Sequence, residues 1–74
     1  MTRKPSTAEL GQQCKDALEL VRTAKGEFYL GRMSYSELAY IARECLRVRQ
    51  RYEFAKTGKT ATQVNAASVA ALIR

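Results

Sequence analysis

Apolar residues recur at helical spacing in three stretches of the chain, and each stretch opens on its own start signal. The first signal is Ser6-Thr7-Ala8-Glu9, a capping box in which Ser6 accepts from the Glu9 backbone N–H. Leu10, Cys14, Ala17, Leu18, Val21 and Ala24 then fall on one helical stripe. Arg22 and Lys25 suit the negative end of the helix dipole, and Gly26 follows as a natural stop. These signals predict a helix over about 7–25.

The second stretch opens on Ser34-Tyr35-Ser36-Glu37, with Met33 and Leu38 placed as a hydrophobic staple. Leu38, Ile41, Cys45, Val48, Tyr52 and Ala55 alternate by three and four, which is a heptad seam. No Gly or Pro interrupts residues 35–57, so one long helix ending near Gly58 is expected. The third stretch opens on Thr60-Ala61-Thr62-Gln63 and predicts a helix over 60–73. Val64, Ala67, Ala71 and Leu72 share one side of it, with Val69 and Ile73 flanking.

Between the first two helices, residues 26–32 place Phe28 and Leu30 between Gly26 and Gly31. They read as a connector whose Phe28 and Leu30 plug the open end of a bundle, with a short edge strand as the alternative. Residues 1–5 read as a flexible N-terminus. The expected architecture is all-α: a small three-helix bundle or open helical array forming a single domain of 74 residues.

Composition narrows the function. The chain has no His, which removes the usual general base near neutral pH and every Ser-His-Asp or Cys-His arrangement. Two Cys without His cannot supply the four ligands of a structural zinc site. No enzyme activity, metal or cofactor is therefore expected. Cys14 and Cys45 fall on apolar helix faces and read as buried thiols, with an interhelical disulfide as the alternative. The longest nearly apolar stretch, residues 66–73, is far below the roughly 20 residues a membrane span needs. The basic start at Arg3 and Lys4 has no apolar segment behind it, so a cytoplasmic location is expected.

Charge is uneven. The formal net charge is +6. Residues 1–37 carry six basic and five acidic side chains, whereas residues 38–74 carry seven basic and two acidic ones. The excess gathers at Arg43, Arg47, Arg49, Arg51, Lys56 and Lys59. On a helical wheel, Tyr40, Arg43, Arg47, Arg51 and Phe54 fall in an arc of roughly 80° away from the seam. Arginine pairs bidentately with carboxylates and phosphates, and Tyr, Phe and Arg anchor interfaces. The alternative is a solvated face with intrahelical pairs such as Glu44 with Arg47 or Arg51.

Two further features bear on nucleic acids. Gly58-Lys59-Thr60 looks like the end of a P-loop, but the first Gly of that motif would fall at Glu53 and a helix precedes it. What survives is a helix start flanked by Lys56 and Lys59, suited to one phosphate or carboxylate. The second and third helices also form a helix-turn-helix in outline, with Thr62, Gln63 and Asn65 near the start of the third.

From Met33-Ser34 through Glu37-Leu38-Ala39, a capped entry leads into a long helix and then a short one. This layout over residues 33–74 resembles that of the small modulators that bind nucleoid proteins in enteric bacteria. In size, charge and helicity the chain is similar to small phage- or plasmid-encoded regulators that bind host transcription or defence machinery. Both likenesses rest on size and layout, and they imply a class of partner but no site residues.

The expectation is a small non-enzymatic regulator that binds a larger acidic protein, such as RNA polymerase or a nucleoid protein. Tyr40, Arg43, Arg47, Arg51 and Phe54 would make the contact, extended by Arg32 and Lys59. The alternative is direct DNA or RNA binding by Arg43, Arg47, Arg51, Lys56 and Lys59, with Thr62, Gln63 and Asn65 reading bases. A homodimer through the seam of the second helix is a third arrangement, in which Leu38, Ile41 and Val48 would be an interface.

Overall fold

The computed structural model describes residues 4–74, so residues 1–3 of the expected flexible N-terminus lie outside the described residues. Three α-helices make up the fold: α1 (Thr7–Tyr29), α2 (Tyr35–Thr57) and α3 (Ala66–Ile73). Among the described residues there is no strand, so the connector between α1 and α2 is a turn. No helix is long and apolar enough to cross a membrane among the described residues.

The first two start signals form their N-caps, each through the serine-accepting half of the expected box. Ser6 Oγ accepts from the Glu9 N–H at 3.2 Å, and Ser34 Oγ accepts from the Glu37 N–H at 3.2 Å. Helix α1, however, runs through Gly26 for another turn. The added turn carries Phe28 into the core cluster and onto the Tyr35 ring, with centroids 5.9 Å apart. That packing offsets the roughly 1 kcal/mol a glycine costs inside a helix. The stop comes instead at Gly31, whose φ of +76° only glycine adopts without strain. Its N–H donates to the Phe28 carbonyl and the Arg32 N–H to the Glu27 carbonyl, the paired bonds of a Schellman motif. The expected plug forms by half, because Phe28 packs inward while Leu30 stands 66% exposed.

Helices α1 and α2 form an antiparallel hairpin. Phe28 meets Tyr35 at one end, and Gly11 lies against the Tyr52 ring at the other. After Gly58 ends α2, the chain turns back along it in extended form. Thr62 fixes that return through both backbone groups. Its N–H donates to Glu53 Oε1 at 3.0 Å, and its carbonyl accepts from Gln50 Nε2 at 2.9 Å. The third capping box therefore does not form, and residues 60–65 lie outside the helix. Asn65 caps α3 in its place, accepting from the Ser68 N–H at 2.8 Å.

This shift changes which face of α3 is buried. Val69 and Ile73, expected to flank, are the buried pair, while Ala67 and Ala71 face solvent. They close a core made with Ala24, Leu38, Ala42 and Leu46. Lys25 Nζ donates to the Arg74 carbonyl at 2.9 Å and ties the end of α3 to α1. The two caps should separate cleanly on mutation. Asn65→Ala is expected to lower unfolding stability by about 1 kcal/mol, while Thr60→Ala should change it by less than about 0.5 kcal/mol. Urea denaturation followed by circular dichroism measures both.

The seam of α2 is rotated from the expected one. Leu38 and Cys45 are buried as expected, but Ile41, Val48 and Tyr52 are only half-buried, whereas Ala42 and Leu46 are buried. The reason is α3, which packs on the Ala42/Leu46 side and widens the covered arc in that direction. Leu38 is fully buried in the core of a single chain. It is therefore not available to pair with a second copy while the hairpin is closed, contrary to its place in the expected dimer interface.

Candidate interaction surface

The outward face of α2 is built by helical periodicity alone. Tyr40, Arg43, Arg47, Arg51 and Phe54 are all exposed, with Tyr40 at 64% and Phe54 at 63%. From Tyr40 to Phe54 is fourteen residues, or about 21 Å of helix. Among the described residues neither ring makes an aromatic contact, in contrast to Phe28, Tyr29 and Tyr35 at the hairpin tip. Arg47 Nη1 lies 2.9 Å from Glu44 Oε1, so one expected intrahelical pair exists. A pair this exposed contributes little to stability and opens readily to a competing carboxylate. Arg51 and Phe54 border a shallow hollow closed on the far side by Pro5 and Leu10.

The two outlying residues sit at opposite ends. Arg32 lies in the hairpin turn, its guanidinium 3.8 Å from the Glu27 carboxylate. Lys59 is exposed in the return segment, where its N–H donates to Thr57 Oγ1 at 3.3 Å. Lys56 lies on the other flank of α2, its Nζ 5.7 Å from the centroid of the Tyr52 ring.

Thr62, Gln63 and Asn65 do not form a reading helix. Thr62 and Gln63 precede α3 in the extended segment. The Asn65 side chain caps α3 through Oδ1 and donates to Gln63 Oε1 through Nδ2 at 3.3 Å. Helix α3 itself is eight residues of Ala, Ser, Val, Leu and Ile. The helix-turn-helix outline fails because the return segment occupies the place of its second helix start. The same displacement removes the anion-binding helix start expected beside Lys56 and Lys59.

Hydrogen bonding from Thr62, through its side chain and its backbone, holds the Glu53 carboxyl below its ordinary value, and Arg49 adds to this while desolvation works against it. The folded state thus favours the carboxylate. Its contribution is complete above the unfolded glutamate value of about 4.3 and is lost as pH falls through the lowered folded value. The Thr62 amide resonance is expected to stay constant from neutral pH down to about 5 and to titrate below that. In Glu53→Gln it should not titrate. Titration persisting in that variant would assign the change to another group.

Sequence reasoning missed two features. Tyr29, Leu30 and Tyr35 form an exposed patch at the hairpin tip, which depends on α1 running past Gly26. Arg49 stands one heptad step beyond Ala42 and one helical turn beyond Cys45, exposed on the trough side of α2 and not with the outward arginines. A cation at that register was a signal in the sequence, but the expected seam through Ile41 and Val48 obscured it.

The two cysteines are free, Cys45 buried and Cys14 half-buried. Burial pushes both thiols above their ordinary value, while the Arg49 guanidinium pulls the other way. In comparisons with known proteins the chain matches no family model, no curated protein and no solved structure.

Proposed function

We propose that the protein is a non-enzymatic regulator that binds an acidic surface on a larger protein of the gene-expression machinery through the outward face of α2. One observation carries this reading. Two large aromatic rings, Tyr40 and Phe54, stand exposed on the same face as Arg43, Arg47 and Arg51. A purely solvated face gains nothing from such rings, whereas aromatics beside arginines are the residue types that dominate interface energies. The arginines supply charge complementarity and speed the encounter with an acidic surface.

Direct nucleic-acid binding draws on the same arginines but loses the residues that would read bases. Phosphate contacts would carry most of its affinity, and these weaken steeply with salt. The test is an anisotropy titration against a random duplex of about 30 base pairs at low and physiological salt. Weak binding at low salt that vanishes at physiological salt is expected. Micromolar binding that survives physiological salt would overturn the protein-partner reading.

A further inference from the structure

On the side of α2 away from the outward arginines, α1 and α3 form the walls of a trough with α2 as its floor. Cys14 and Leu18 of α1, Cys45 and Leu46 of α2 and Leu72 of α3 line a partly enclosed chamber of about 270 Å³. This lies just under the roughly 300 Å³ at which small-ligand pockets begin, and its lining is apolar as theirs is. Burial raises both thiols, so at neutral pH they line the chamber mainly as apolar wall, and Cys14 reacts only through a small thiolate fraction.

Arg49 and Tyr52 stand where this chamber opens into a second hollow, which continues past Lys56 to Lys59. The mouth therefore carries three cations against one acid, Glu53, whose carboxylate already accepts from the Thr62 N–H. Among the described residues the Arg49 guanidinium makes no hydrogen bond or ion pair. An apolar chamber ending at a guanidinium whose N–H groups have no hydrogen-bond partner among the described residues, although its charge also acts on Glu53, matches a ligand with a hydrocarbon chain and a terminal carboxylate.

We propose that this trough binds a short-chain amphipathic carboxylate, its tail between Leu18 and Leu72 and its carboxylate on Arg49. The site lies on the opposite face of α2 from the proposed partner surface, so the two readings stand or fall separately.

Octanoate is the probe, with octan-1-ol testing the charge and acetate testing the chain. Isothermal titration calorimetry reads affinity, and the rate at which an aromatic disulfide reagent labels Cys14 reads occupancy of the chamber. Octanoate is expected to bind once per chain and to slow Cys14 labelling severalfold. Octan-1-ol and acetate should bind at least tenfold more weakly. Arg49→Gln should lower octanoate affinity at least tenfold, to the level of octan-1-ol, while Arg47→Ala leaves it unchanged. Arg49 is exposed, so the variant is expected to keep its fold, which circular dichroism checks. Should it unfold, the ranking of octanoate over octan-1-ol on the unaltered protein decides. The proposal is overturned by octanoate giving neither heat nor protection of Cys14. It is equally overturned by octan-1-ol binding as well as octanoate, or by a folded Arg49→Gln protein binding octanoate unchanged.

Discussion

Replacing Leu38 with alanine is expected to lower unfolding stability by about 3 kcal/mol, more than any other single truncation in the chain. Leu38 is the largest side chain that is fully buried. It belongs to a cluster to which all three helices contribute, with Ala24 from α1, Ala42 and Leu46 from α2, and Val69 and Ile73 from α3. Three of the residues in this cluster besides Leu38 are apolar chains that cannot stretch to fill a leucine-sized void, and two are alanines. The cost therefore includes a cavity as well as lost burial. A domain of this size has a total stability of roughly 4–11 kcal/mol, so the variant would lose a large part of it. The control is Leu18→Ala. Leu18 is 43% exposed and lines an open trough, so its removal should cost no more than about 1 kcal/mol. Urea denaturation of both variants measures the difference. Equal losses would mean that the three helices do not meet at Leu38.

The start signals of α1 and α2 were legible because a capping box is local. Ser6 with Glu9 and Ser34 with Glu37 need nothing from the rest of the fold. The ends of the elements were less legible because packing decides them. Gly26 is as plausible a stop as Gly31 by residue type, and only the landing of Phe28 on the core carries α1 onward. The third box failed for a similar reason. Thr60 and Asn65 both offer a capping oxygen, and the choice between them is made by Gln50 and Glu53, one turn apart on α2, which seize the backbone of Thr62. No local reading of residues 60–65 contains that information.

The same distinction applies to the surfaces. The outward face of α2 follows from the helical period, since a residue on the far side of the helix from its neighbours stays exposed wherever those neighbours sit. The trough does not follow from it. Its existence depends on α3 being short and on its lying toward Leu46, which leaves Leu18, Tyr52 and Arg49 along an open edge. Arg49 and Arg47 are two residues apart and identical in type, yet they face opposite sides of the helix. Their difference in role is a property of the assembled helices.

That difference makes the outward face testable apart from the rest of the molecule. Truncating Tyr40 and Phe54 to alanine together is expected to weaken binding to a captured acidic protein partner by about 2–4 kcal/mol, roughly 30- to 1000-fold. Each ring is exposed, so each removal should leave unfolding stability within about 0.5 kcal/mol of the parent. Residual duplex binding at low salt should stay within about twofold, because it depends on charge and not on the rings. Arg47→Ala should behave otherwise. It removes one cation from the face and frees Glu44, so it should weaken partner and duplex alike. The comparison is made by titrating the purified partner, and then the duplex, against the three proteins at one salt concentration. Rings that matter for the partner and not the duplex are the mark of an anchored protein interface. If the double truncation leaves partner binding intact, Tyr40 and Phe54 are not its anchors. The exposed Tyr29 and Tyr35 at the hairpin tip, with the exposed Leu30 between them, would then be the next surface to truncate, because they are the other exposed rings among the described residues and Arg32 lies in the same turn.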